Sequence, residues 1–234
     1  MKINEFIEEL KKLGIELTED QIKKLEEYYN LLVEWNEKIN LTAITKKEDV
    51  YLKHFYDSLT LIKAIDLNKP IKVCDAGTGA GFPGIVLKIV FDNIDITLVD
   101  ALNKRVNFLN NVIEKLGLKN IKVIHTRIEE FAKFDRETYD LVTSRAVSRL
   151  NILDELCIPL VKIGGYFIPM KGNISEELEE AKAGIKELGG KEEEIISFLL
   201  PKENSIRNLI KIKKVFKTNA KYPRVFDKIK KNPL

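Results

Sequence analysis

The chain has 234 residues, enough for one full domain with a smaller appendage and too few for an array. At 44% hydrophobic, 32% charged and 8% aromatic residues it has the composition of a protein that buries a core, which excludes fibrous and largely disordered classes. The net charge of +3 hides an asymmetry: residues 201–234 carry eleven Lys or Arg against two acids, a local +9, so residues 1–200 carry −6.

Such a basic C-terminal segment points to a polyanionic partner, because Lys and Arg gain affinity for phosphates by displacing counterions, or else it is a solubilising tail. No apolar run approaches the roughly 18 residues of a membrane span, so no membrane partner is expected. The opening residues MKINEFIEELKKLG lack the unbroken apolar stretch of a secretory signal, which predicts a cytoplasmic protein. Cys74 and Cys157 lie in apolar segments without metal-type spacing, so both are expected in the core and no metal site is expected.

In chain order, helix comes first. Thr18 and Gln21 have capping-box spacing ahead of Ile22, Leu25, Tyr29, Leu32 and Ile39, which predicts a long amphipathic helix. Thr45 and Glu48 repeat the signature before Leu52, Phe55, Leu59 and Ile62, predicting a second helix after the connector Asn40–Ile44. Residues 1–66 are therefore read as a helical extension and 67–234 as the main domain. From Pro70 the pattern alternates: apolar runs 71–76, 95–101, 121–127, 139–146 and 165–172 are separated by helical stretches such as KRVNFLNNVIEKLG. This predicts an α/β fold, a Rossmann-like, doubly wound mixed sheet with a largely parallel order. The last two runs, EEEIISFLLP and RNLIKIKKVFK, have no helix between them and are expected to pair as an antiparallel hairpin at the sheet edge.

The segment from Val73 to Gly84, VCDAGTGAGFPG, carries the strongest chemical signal. A strand ends at Asp75, a glycine loop follows, and Pro83 fits the start of the next helix. Gly77, Gly79 and Gly81 are expected to let the backbone approach a ligand. Gly79, Gly81 and Gly84 satisfy G-x-G-x-x-G, a pattern shared by several nucleoside cofactors. An acid at the strand tip repels a pyrophosphate, and Pro83 lacks the N–H a phosphate would want, whereas both suit a cofactor with a cationic end. S-Adenosylmethionine is such a cofactor. Asp100, at the end of the next strand, stands where an acid accepts ribose hydroxyls. Ile128 and Glu129, after the third strand, are placed to meet the adenine, and Arg145, after the fourth, lies on the same rim.

The sequence resembles the bacterial small-subunit ribosomal RNA guanine-N7 methyltransferases, also called glucose-inhibited division protein B. The resemblance runs from Asn40 to Leu234 on NLTAI (40–44), H-x-x-D-S-L (54–59), DAGTGAGFPG (75–84), KRVNFL (104–109), SRA (144–146), Lys171-Gly172, YPR (222–224) and a closing KNPL. It implies a seven-stranded class I methyltransferase domain with an N-terminal helical extension, S-adenosylmethionine as donor, and a guanine of 16S ribosomal RNA, free or in the small-subunit ribonucleoprotein, as acceptor. It places cofactor contacts on Gly77, Phe82, Ala101, Leu102, Ile128, Glu129 and Arg145. After YPR the family usually carries Gly and Pro, whereas this chain has Val225-Phe226-Asp227-Lys228-Ile229.

The chemistry agrees with what is missing. Exocyclic amine methylation usually uses an Asn/Asp-Pro-Pro-aromatic tetrad after the fourth strand, where this chain has Thr143-Ser-Arg-Ala146, and a pyrimidine C5 route needs a cysteine nucleophile at the cofactor. Guanine N7 has a free lone pair, so alignment suffices, with Arg145 and Lys171 as candidate donors to the Hoogsteen edge. Lys104, Arg105, Lys211, Lys213, Lys214 and Arg224 are the candidate RNA contacts. The H-x-x-D-S cluster at His54 reads either as the cofactor entrance or as a buried helix contact, and Trp35 as packing rather than a base platform. A small-molecule methyltransferase and a non-catalytic RNA-binding assembly factor are the competing functions, and the protein is expected to act as a monomer.

Overall fold

The computed structural model describes the backbone of residues 1–234 and every side chain except that of Ser175. Helix α1 (Ile3–Lys12) precedes α2 (Glu19–Ile39). Thr18 caps α2 as its spacing predicts: Oγ1 accepts from the Gln21 amide at 3.2 Å, and Gln21 Oε1 accepts from the Thr18 amide at 2.9 Å. The second expected capping box does not form. Lys46, not Thr45, precedes α3 (Lys47–Val50), and in place of one regular helix the chain runs through a π-helical turn (Tyr51–Tyr56), α4 (Asp57–Leu59) and a 3-10 turn (Thr60–Lys63). The hydroxyls of Ser58 and Thr60 donate to the carbonyls of His54 and Asp57, competing with the regular helical ladder.

Seven strands follow: β1 (Lys72–Ala76), β2 (Asp95–Asp100), β3 (Ile121–His125), β4 (Tyr139–Arg145), β5 (Val161–Lys171), β6 (Gly190–Leu199) and β7 (Ile206–Lys214). They lie in the order β3-β2-β1-β4-β5-β7-β6, the first five parallel and β7 antiparallel to both neighbours. The hairpin is therefore at the edge, but β7 lies inside it and β6 is the edge strand, which corrects the expectation that Lys211, Lys213 and Lys214 decorate an edge. Crossover helices α5 (Gly84–Val90), α6 (Asn103–Lys115), α7 (Ile128–Phe134) and α8 (Leu150–Cys157) join the parallel strands, α9 (Ser175–Glu187) joins β5 to β6, and α10 (Phe226–Lys231) closes the chain.

Because strand side chains alternate between faces, each central strand feeds two cores. Val73, Leu98, Leu141, Ile168 and Leu209 face α1, α2, the helical turns at 47–63, α5 and α6; their neighbours Cys74, Val99, Val142, Phe167 and Ile210 face α7, α8, α9 and α10. Strands buried on both faces read as continuous apolar runs, the signature seen in the sequence. Residues expected as a helical extension thus share one buried cluster with the sheet, centred on Tyr28, whose ring lies 5.5 Å from both Phe55 and Phe82. Trp35 packs on Phe108 at 5.6 Å, and Cys74 and Cys157 are buried free thiols. Among the described residues, no helix is long and apolar enough to cross a membrane.

Candidate active site

The carboxyl ends of β1, β2 and β4 surround a cavity of about 430 Å³. The glycine loop forms its floor. From the end of β1, the amides of Gly77 and Thr78 donate to the carbonyl of Val99 at 2.9 and 3.1 Å, and Gly79 N donates to Asp100 Oδ2 at 3.0 Å, stitching the loop to β2. Gly77 and Gly79 have φ of 73° and 63°, the left-handed region where a side chain is strained. A Cβ on Gly77 would strike Val147, whereas one on Gly79 would meet nothing within 4 Å, since it faces open space.

Asp75 and Gly81 take other roles than the sequence assigned them. Asp75 is fully buried beneath the loop and does not line the cavity; its Oδ2 accepts from Thr78 Oγ1 at 2.6 Å and from Gly84 N at 2.8 Å, so it folds the loop instead of facing a ligand. Burial pushes its pKa up to about 6, opposed by these bonds and by Arg145, and Oδ1 has no partner. Gly81 turns from the cavity toward α2: a Cβ there would lie 2.5 Å from Ile85 and 2.7 Å from the Tyr28 hydroxyl, which itself donates to the Ala80 carbonyl. The close approach that Gly81 permits is to the protein's own helix.

Phe82, Asp100, Ala101, Leu102, Ile128, Glu129 and Arg145 all line the cavity, as does Arg105. Asp100 is almost wholly buried, with Oδ1 accepting from Leu102 N at 2.9 Å and Arg105 Nη1 at 3.5 Å from Oδ2. Glu129 accepts from Arg127 Nε. Lys104 is exposed and outside the cavity.

On the far wall two sequence motifs meet. Arg145 Nη1 donates to the Lys53 carbonyl at 2.8 Å and Asp57 Oδ2 at 3.1 Å, while Nη2 lies 3.1 Å from His54 Nδ1. His54 Nε2 lies 3.0 Å from Thr42 Oγ1 in the NLTAI connector, and its ring stacks on Phe82 at 4.3 Å. Arg207 Nε reaches Asp57 Oδ1 at 3.1 Å from β7. Burial, reinforced by Arg145, pushes the His54 pKa down to about 3. The H-x-x-D-S cluster is buried, and of its residues His54 lines this cavity. Behind it a second cavity of about 340 Å³ is lined by Lys53, Asp57, Arg145, Met170, Lys171 and Arg207. Lys171 belongs to this second cavity, its ammonium on the Ser148 carbonyl at 2.6 Å and Glu177 Oε2 at 2.7 Å.

The basic candidates of the C-terminal segment divide. Lys211 and Lys213 lie over the Tyr166 ring at 4.7 and 6.0 Å, with Glu193 carboxylate oxygens at 3.8 and 3.9 Å. Lys214 is buried, donating to the Ile158 and Leu188 carbonyls at 3.1 and 3.2 Å and to Thr218, and burial pushes its pKa down to about 8. It cannot contact RNA. Arg224 grips the fully buried Glu155 with its amide, Nε and Nη2, so it is a strap holding the tail on α8 rather than an open phosphate contact.

Residues 21–214 match the family described as rRNA small subunit methyltransferase G. The ribosomal RNA small subunit methyltransferase G of Bacillus cytotoxicus is 52% identical over 227 residues, spanning 96% of this chain and 95% of that one. Its counterpart in Staphylococcus carnosus is 50% identical over 100% of this chain and 99% of its own. The chain belongs to this family. Members of the methyltransferase G family are S-adenosylmethionine-dependent ribosomal RNA methyltransferases, and membership removes the small-molecule and non-catalytic alternatives. Solved structures show the same fold: a SAM-dependent methyltransferase from Aquifex aeolicus (TM-score 0.53, 22% identical, 71% of this chain and 93% of that) and M. jannaschii TYW2 in complex with AdoMet (0.54, 16%, 68% and 77%).

The residues of the larger cavity fit that cofactor. The cavity offers a buried carboxylate at Asp100, apolar walls at Leu102, Ile128 and Val147, and open space over Gly79. It offers no phosphate cradle at α5, since Pro83 has no N–H and Gly84 N is taken by Asp75. Sequence reasoning missed Tyr28, Thr42, Asp57, Arg207 and Phe226. Thr42 and Asp57 stood inside motifs already noted; only the fold brings Arg207 and Phe226 to the cavity walls and Tyr28 beneath the glycine loop.

Proposed function

We propose that the larger cavity holds the adenosine of S-adenosylmethionine against Ala101, Leu102, Ile128 and Glu129, with Asp100 accepting from the ribose hydroxyls. A guanine of 16S ribosomal RNA then enters through the smaller cavity. The observation that carries this division is Arg145, which lines both cavities and is held between them by Lys53, His54 and Asp57.

When bound, S-adenosylmethionine supplies a methyl group made electrophilic by its sulfonium charge. The chain's own contribution is placement. Asp100 has about four acceptor sites, of which Gly79, Leu102 and, at 3.5 Å, Arg105 use one each, leaving capacity for a hydroxyl donor. Guanine N7 needs no base, because its lone pair is free, so alignment with the methyl group suffices. Lys171 has three ammonium protons and spends two on Ser148 and Glu177, so one remains for an acceptor such as guanine O6 in the cavity it lines. His54 holds the Arg145 guanidinium from one side and Asp57 from the other, which fixes its plane above Phe82 at 5.3 Å.

The ribosomal substrate supports a cytoplasmic site of action, on free RNA or on the small-subunit particle. The test is to incubate the protein with methyl-labelled S-adenosylmethionine and either 16S RNA or small subunits, then map the labelled nucleoside. Label on guanine N7 is the expected result; label elsewhere, or none with either substrate, overturns the reading.

A further inference from the structure

The tail after YPR does not hang free. Arg224 fastens it to Glu155 of α8, Arg136 donates to the carbonyls of Tyr222 and Thr218 at 2.5 and 2.9 Å, and Ile229 of α10 is fully buried. These anchors bring one residue to the cofactor cavity. Phe226, at the start of α10, lines it beside Arg127, Ile128 and Glu129. Its ring is half-buried and lies 4.8 Å from the Arg127 guanidinium, and Arg127 in turn donates to the buried Glu129 carboxylate. Phe226 therefore touches the wall at which the adenine is placed, from a segment about 100 residues further along the chain.

We infer that Phe226 is a cofactor-binding residue, an aromatic side chain supplied by the C-terminal tail that closes the adenine end of the cavity and holds Arg127 and Glu129 in place. This rests on the assignment of the larger cavity to S-adenosylmethionine. An aromatic ring suits a purine because each presents a π face, and ring-on-base contact is commonly strong enough for its removal to weaken binding by about tenfold. The Arg127 cation on the Phe226 ring adds a second constraint, orienting the arginine that Glu129 needs as its partner. A basic tail and an aromatic wall are thus two properties of one segment.

The test is calorimetric titration of the full chain with S-adenosylhomocysteine and with adenosine, which needs no turnover. Phe226→Ala is expected to weaken both by about tenfold, since the loss falls on the base they share, and Phe226→Tyr to bind within about twofold of the parent chain. Phe226→Leu keeps apolar bulk for the tail's packing but no ring, so its affinity should still fall by several-fold while its thermal midpoint stays near that of the parent. Parent-like affinity in Phe226→Ala or Phe226→Leu overturns the inference, as does weakened S-adenosylhomocysteine binding with unchanged adenosine binding. If the parent chain itself fails to bind S-adenosylhomocysteine, the cavity assignment fails, and the two failures are distinguished.

Discussion

Arg145 Nη2 faces His54 Nδ1 at 3.1 Å, a guanidinium set directly against an imidazole inside the protein. The same nitrogen lies 3.2 Å from the Lys53 carbonyl and Nε2 lies 3.0 Å from Thr42 Oγ1, so both ring nitrogens have polar partners while the imidazole stays neutral. Protonating His54 would set a cation against Arg145 inside the protein.

That has a pH consequence. The folded His54 pKa is depressed to about 3 from the usual 6.5 by burial and by Arg145, so between these values the unfolded chain binds more protons than the folded one. Stability from this group is complete above pH 6.5 and is lost as pH falls toward 3, on the order of a few kcal/mol over the window. Denaturant unfolding at pH 7 and pH 4.5 should show a smaller pH-dependent loss in His54→Gln than in the parent. An equal loss in both would show that His54 is not the titrating group.

Cofactor binding should depend on Asp100 and on the space over Gly79. Asp100→Ala removes the acceptor of the Gly79 and Leu102 amides as well as any ribose contact, and binding should weaken by roughly tenfold to a hundredfold, for about 1.5 to 3 kcal/mol. Gly79→Arg places a side chain in the cavity at a φ of 63° and should abolish S-adenosylhomocysteine binding, read by calorimetry. Parent-like affinity in Gly79→Arg would mean that the cofactor lies elsewhere.

Gly81 and Gly164 both adopt positive φ, 99° and 85°, yet alanine at the two should behave differently. At Gly164 a Cβ meets nothing within 4 Å and only backbone strain of about 1 kcal/mol is expected. At Gly81 the same methyl collides with Ile85 and Tyr28, and the loss should exceed that at Gly164 by about 1 to 3 kcal/mol. Equal midpoints in urea would remove the Tyr28 contact as the reason for this glycine.

The lysines of β7 should separate by function. Changing Lys211 and Lys213 to Gln should leave stability within about 0.5 kcal/mol and, if both contact phosphates, lower the log–log salt slope of RNA binding by about 1.4. Lys214→Met should instead destabilise by about 1 to 3 kcal/mol, because it removes the buried ammonium that ties the Ile158 and Leu188 carbonyls and Thr218 together. An unchanged salt slope in the double variant would move the RNA surface off this strand.

The sequence was most legible where a period or a turn residue acts locally. The Thr18 capping box, the alternating strands and the positive-φ glycines are decided by near neighbours in the chain, and they stand where the pattern places them. Charge was legible as a sum and misleading residue by residue. Lys214 and Arg224 count toward a basic tail, but one is enclosed among carbonyls and the other is spent on Glu155, partners 26 to 69 positions away that no window reveals. Asp75 misled for the same reason: a strand-tip acid reads as a ligand contact until Thr78 and Gly84 are seen to use it. The bent helix at 47–63 carries a clean apolar spacing, and its irregularity comes from hydroxyls at Ser58 and Thr60 that periodicity ignores.

The position of β7 between β5 and β6 also sets an order of events during synthesis. The strand that completes the sheet is the last one made, so β5 presents a bare edge and β6 has no in-sheet neighbour until residues 206–214 have emerged. A growing chain must therefore carry an open sheet, with unpaired backbone amides and carbonyls, almost to its end. A chain that stopped between β6 and β7 would keep that edge open for good, exposed to a sister strand.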